Sequence, residues 1–197
     1  ESCVQKLLGL YPEYIKCKTR FGATIKYAYD YINENLTLIS QDYIFMEYGG
    51  NDCDFKWDEI AKNPYADHMP NTPLEEYSKS MEEIIKKLLS AGKKIIVSTL
   101  PPIDSQKYFK FFTQNNKEKG DSILIWLKDV ENISRWQESY SNANWKIAMK
   151  YNCQIADIRS PFLQTMNYPD YICADGIHPN QRGQELIYNT LKNTFNL

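Results

Sequence analysis

Near its C-terminal end the chain reads Asp175-Gly176-Ile177-His178-Pro179, a carboxylate and an imidazole three residues apart. One tight turn can set that carboxylate against one ring nitrogen and leave the other free to take a proton. An imidazole with its ordinary pKa of about 6.5 accepts a proton near neutral pH and can return it later in a reaction. The same pattern also fits an exposed turn before a helix that has Asn180 as its N-cap. A second cluster, Gly49-Gly50-Asn51-Asp52, directly follows the apolar run Tyr43-Ile44-Phe45-Met46. A glycine pair lets the backbone bend sharply and approach a ligand, and Gly50 and Asp52 are the candidate substrate contacts. Asn51 then offers a side-chain NH2 where a carbonyl oxygen becomes negative, and losing such a donor costs about 10² to 10³ in turnover. The plainer alternative is a turn with Asn51 in the left-handed region and Asp52 capping a helix. Taken together, the two clusters would supply the proton-handling and oxyanion-stabilising parts of an acyl-transfer site.

Such groups need a scaffold, and the hydrophobic pattern supplies one. Short apolar runs at Tyr14 to Lys18, Tyr43 to Tyr48, Lys94 to Leu100 and Cys153 to Ile158 read as buried strands. Helical patterns follow them: Ala23 to Leu36, Thr72 to Ala91, a long stretch through Lys150, and Gln181 to Phe195. Thr72-Pro73-Leu74-Glu75 reads as a capping hydroxyl with a proline at the first helical position, and Gly92 closes that helix. The alternation predicts one α/β domain over residues 1–197, with a parallel sheet and helices on both faces. In such sheets reactive groups gather on loops at the carboxyl ends of strands, where both clusters lie. The third crossover, Pro101 to about Tyr151, is long and carries Tyr108, Phe109, Phe111, Phe112, Trp126, Trp136, Tyr140 and Trp145. It reads as a helical cap over the site, although rings of this kind also simply pack extra helices onto a sheet.

At this point the residues resemble the SGNH, or GDSL-like, hydrolases. Gly49 to Asp52 match that family's G-x-N-D block and Asp175 to His178 its D-x-x-H block, while Gly22 in Arg20-Phe21-Gly22-Ala23-Thr24 best matches its second-block glycine. Trp57, Pro101-Pro102-Ile103-Asp104 and Trp136 look like a bacterial esterase-type subgroup. The resemblance implies a flavodoxin-like three-layer α/β/α sandwich. It implies that His178 is the general base, that Asp175 orients it, and that Asn51 with the Gly22 backbone N–H forms part of an oxyanion hole. It also implies a serine nucleophile in a Gly-Asp-Ser turn, and no such turn occurs in the 197 residues. Ser2 follows Glu1 with no strand before it, and it does not match that position. In the family the nucleophile follows a first strand lying between the second and third. The expectation is therefore that a segment of roughly 20 or more residues, one strand and its turn, precedes this sequence.

Composition narrows the function classes. A net charge of −2 and 24% charged residues leave no basic face for nucleic acid. No run approaches the roughly 18 apolar residues of a membrane span. Cys3, Cys17, Cys53, Cys153 and Cys173 are odd in number and form no C-x-x-C pair, which fits a reducing, cytoplasmic compartment rather than a disulfide framework or a zinc site. His68, between Asp67 and Met69-Pro70, reads as structural. The leading expectation is a serine ester hydrolase acting on a small acyl ester, such as an acetylated carbohydrate or a lipid-like ester, through an acyl-enzyme and without cofactor or metal. A catalytically inactive binding module for a glycan or acyl ligand is the alternative. A metal-assisted hydrolase using Asp52, Asp54, Asp175 and His178 as ligands is a third reading.

Overall fold

A computed structural model describes residues 2–197. Three short parallel strands, β1 (Tyr43–Met46), β2 (Lys94–Ser98) and β3 (Gln154–Ala156), lie side by side in the order β1-β2-β3. Tyr43 sits opposite Lys94 and Ile96 opposite Gln154. In the central strand Ile95, Ile96 and Val97 are all buried, as a parallel strand covered on both faces requires. Alternation along the strands sends Ile44, Met46, Ile95, Val97 and Ile155 to one face and Phe45, Ile96 and Ala156 to the other.

The first face is covered by α2 (Ile25–Asn35), α4 (Leu74–Ser90) and α7 (Asn132–Lys150), which bury Ile32, Tyr77, Ile84 and Ile147. The opposite face is covered by α1 (Cys3–Leu10), α8 (Ser160–Leu163) and α9 (Gln181–Phe195), with Leu7, Phe162 and Ile187 inward. A third apolar cluster joins α3 (Trp57–Lys62), α5 (Ser105–Thr113) and α6 (Lys117–Leu127) around Ile60, Tyr108 and Ile123. The three-layer α/β/α arrangement expected from the alternation is present.

Four local expectations change. Tyr14 to Lys18 forms no strand: it is a turn followed by irregular backbone, and Tyr14 is 82% exposed. A strand needs a neighbour to receive its backbone hydrogen bonds, and among the described residues nothing pairs with this segment or with the outer side of β1. α1 has no counterpart among the helical patterns read from sequence, yet its start is well specified. The Ser2 hydroxyl accepts from the Gln5 N–H at 3.1 Å while Gln5 Oε1 accepts from the Ser2 N–H at 2.9 Å, a reciprocal capping box. Thr72 caps no helix with its side chain; α4 begins at Leu74, and Thr72 is buried with its carbonyl accepting from the Tyr140 hydroxyl at 2.6 Å. Finally, the crossover at 101–151 is only partly a cap. α7 packs on α4 and β2 as a layer helix and takes Tyr140 into the main core, while its first turns put Ile133 and Trp136 into the third apolar cluster with α5 and α6.

Candidate active site

A cleft of about 320 Å3 opens where the chain leaves β1 and β2, bounded by Glu47 to Trp57, by Leu100 to Ile103, by Tyr108 and Trp136, and by Ile177 to Pro179. Its first wall is the turn after β1. Gly49 has φ +122° and is buried; a Cβ there would lie 3.0 Å from Leu100 Cδ1 and 3.3 Å from the Tyr77 hydroxyl, so only glycine fits. The two residues at the end of this turn grip a second loop. Asn51 Nδ2 donates to Ala23 O at 3.1 Å, and the Asp52 carboxylate accepts the Ile25 N–H at 2.9 and 3.2 Å. Ile25 opens α2, so Asp52 places its charge at that helix's positive end. Burial raises the Asp52 carboxyl, and the Ile25 N–H works against that rise.

The second wall is the Asp175–His178 turn. Asp175 Oδ2 lies 2.7 Å from His178 Nδ1, and Asp175 Oδ1 accepts the backbone N–H groups of Ile177 and His178, both at 3.0 Å. Because a carboxylate only accepts, Nδ1 carries the proton and Nε2 is left as the acceptor. The His178 side chain is 67% exposed, so Nε2 is open to the cleft. Gly176, at φ +82°, lets this turn sit directly on the start of α5: a Cβ would fall 2.2 Å from Tyr108 N, and Gly176 O accepts the Asp104 N–H at 2.8 Å.

The residues singled out from sequence thus fall into two groups. Asn51, Gly50 and His178 line the cleft, and Asp175 stands directly behind the imidazole. Gly22, at φ +68°, is exposed in the loop that Asn51 grips, next to the cleft-lining Ala23. Asp52 is fully buried and faces the core. Ser2 is occupied as a helix cap, and His68 bonds Asn63 O at 2.8 Å beside the Trp126 ring. Among the described residues no three His, Cys, Asp or Glu side chains converge as a metal-binding group, so the set Asp52, Asp54, Asp175 and His178 is not assembled.

Sequence reasoning passed over Glu47 and considered Asp54 only as a metal ligand, yet both line the cleft. Glu47 follows β1 and is exposed at the cleft. Asp54 Oδ1 accepts from both Trp57 Nε1 and the Tyr108 hydroxyl at 2.9 Å, within a nest of rings in which Phe55 and Trp136 have centroids 4.8 Å apart. Burial raises Asp54, against the pull of the Tyr108 and Trp57 donors. Cys53 also lines the cleft, but burial, reinforced by Asp54 and Asp52, drives its thiol far above the usual range, and it remains protonated.

The family model described as GDSL-like Lipase/Acylhydrolase matches residues 11–191, nearly the whole chain. The chain belongs to this family. Solved structures place the GDSL-like fold beside an α/β hydrolase, LAE5, from the metagenome of Lake Arreo, Spain, at 20% identity and TM-score 0.68, covering 98% of this chain and 79% of that one. Axe2, an acetylxylan esterase from Geobacillus stearothermophilus, superposes with TM-score 0.67 at 18% identity over 99% of this chain and 79% of its own. A lipase/acylhydrolase from Enterococcus faecalis is more distant, at 15% identity and TM-score 0.59, covering 87% of this GDSL-like chain and 70% of that one. No curated protein is similar enough in sequence to count as a relative.

Proposed function

We propose that this GDSL-like protein is a serine ester hydrolase for small acyl esters, with acetylated carbohydrates and lipid-like esters as the candidate classes. The observation that carries the reading is the 2.7 Å Asp175–His178 pair, whose Nε2 opens onto the cleft that Asn51 and Gly50 also line. In this reaction a serine oxygen attacks the acyl carbon while His178 Nε2 takes its proton. The oxygen that becomes negative is held by Asn51 Nδ2, which has a second N–H beyond the one given to Ala23, and by the Gly22 N–H. His178 then protonates the departing alcohol, and water releases the acyl group from serine by the same proton route. None of these steps calls on a metal or an organic cofactor.

Among the described residues no serine or threonine lines the cleft, and the Cys53 thiol is protonated. The nucleophile in this reading is therefore carried by a further segment. The side of β1 that is unpaired among the described residues supports that placement: a parallel strand added there would end beside Glu47 and Tyr48, on the rim of the same cleft. The lack of a nucleophile in that lining also favours one competing reading, an inactive binding module for a glycan or acyl ligand. The two separate cleanly by intact-protein mass before and after a fluorophosphonate probe, followed by mapping of the labelled peptide. A single adduct on a serine outside residues 1–197 is expected. A folded full-length protein that takes no adduct would sink the hydrolase reading. A reducing compartment suits the five cysteines, all free.

A further inference from the structure

We propose that Asp54 selects the alcohol half of the substrate, its free carboxylate oxygen accepting a hydrogen bond from a hydroxyl of a neutral polyol or sugar ester. The inference rests on the ester-hydrolase reading for the position of the scissile bond. Its own support is the cleft floor. Two donors from separate elements, Trp57 Nε1 of α3 and the Tyr108 hydroxyl of α5, converge on one oxygen, Oδ1, each at 2.9 Å. That arrangement fixes the carboxylate's orientation. No described side chain donates to Oδ2, the Phe55 backbone N–H is the one further donor against the carboxylate, and Asp54 is part of the cleft lining. An oriented, half-satisfied acceptor in a ligand-sized space is built to receive a donor.

The surroundings define which donor. Phe55, Trp57, Tyr108 and Trp136 form an aromatic wall around the carboxylate, a surface suited to the apolar faces of a sugar ring. Among the described residues no Lys or Arg lines the cleft, while Glu47 adds a second carboxyl to it. Phosphorylated or carboxylated leaving groups would meet like charge without a counter-ion, so esters of anionic carriers are disfavoured. A neutral, hydroxyl-rich alcohol meets both demands, the acceptor and the rings.

Asp54→Asn tests this with little change of shape. The amide oxygen can keep the Trp57 and Tyr108 bonds, and the NH2 group replaces an acceptor by a donor at the open position. The measurement is kcat/KM of the full-length protein on 6-O-acetylglucose relative to ethyl acetate, with acetylcholine as a third ester. The wild type should prefer the sugar ester, and the substitution should lower the sugar-to-ethyl selectivity ratio by about 10- to 100-fold. An unchanged ratio, whether both rates fall or neither does, would overturn the proposal, as would a wild-type preference for the cationic acetylcholine. Quenching of tryptophan fluorescence by glucose gives a readout independent of turnover. Glucose binding that Asp54→Asn weakens, in a protein that cleaves no ester, would leave the role of Asp54 standing and remove the hydrolase. Ester cleavage with no Asp54-dependent selectivity or glucose binding would do the reverse.

Discussion

Asp175 divides its carboxylate between two tasks: Oδ1 closes the turn through two backbone N–H groups, and Oδ2 holds the imidazole. Asp175→Asn should preserve the first task and corrupt the second, because an amide NH2 facing Nδ1 forces the proton onto Nε2. Turnover should fall by roughly 10³- to 10⁴-fold with an unchanged circular dichroism spectrum. The carboxyl also leaves a signature in stability. Burial alone would raise its pKa, but the His178 and Ile177 N–H groups and the imidazole outweigh burial and hold it below the ordinary value. Its folded-state pKa lies below the unfolded one, so its stabilisation is present above the ordinary value of about 3.9 and is lost as pH falls through the lowered one. Asp54 has the opposite sign: burial raises it, and its contribution is lost as pH climbs through the raised value. Urea midpoints between about pH 3 and 7 should show the wild type gaining on Asp175→Asn with rising pH and losing ground to Asp54→Asn. The Asp175–His178 pair was legible in sequence because a turn brings residues three apart together. The Asp54 site was not, since its Tyr108 donor comes from 54 residues away, and no local spacing announces that meeting.

Among the elements, α2 shows how a helix can be started from a distance. Its N-cap residue Thr24 makes no side-chain cap bond, and the Ile25 N–H is satisfied instead by Asp52, 27 residues later. The plain reading of Asp52 as a helix cap holds in an altered form, since the helix it caps is not the one that follows it. With the Asn51 bond to Ala23, this clasp fixes the spacing between the Gly22 loop and the Gly49 turn. Asp52→Ala would leave a buried N–H without a partner and remove a favourable charge at a helix N-terminus. A loss of about 2 to 4 kcal/mol in urea unfolding is expected, and a change under about 0.5 kcal/mol would refute the clasp. The misreadings elsewhere have the same origin. Thr72 looks like a cap because of Pro73, but long-range bonds to Asp52 and Tyr140 claim its backbone. Asn180, by contrast, does cap α9, accepting from Arg182 and Gly183, because that bond is local and needs no tertiary partner.

For the whole molecule, periodicity located three of four expected strands and the layer order, because buried parallel strands show as short apolar runs whatever their neighbours. It could not show that Tyr14 to Lys18 has no partner among the described residues, since pairing is a property of two segments. That outer side of β1 makes a prediction at this scale. In the full-length protein, amide exchange along Tyr43–Met46 should be as slow as along Lys94–Ser98 when a fourth strand covers the edge. Fast exchange confined to β1 would mean that the edge stays bare and that the nucleophile comes from elsewhere. The Asp175–His178 turn touches α5 with no space for a single methyl group, and the Asp104–Gly176 bond ties their backbones at 2.8 Å. Contacts at that density transmit displacement rather than absorb it. Whatever pushes the first turn of α5 outward carries the imidazole with it, so the position of Tyr108 and the aim of His178 are a single mechanical variable.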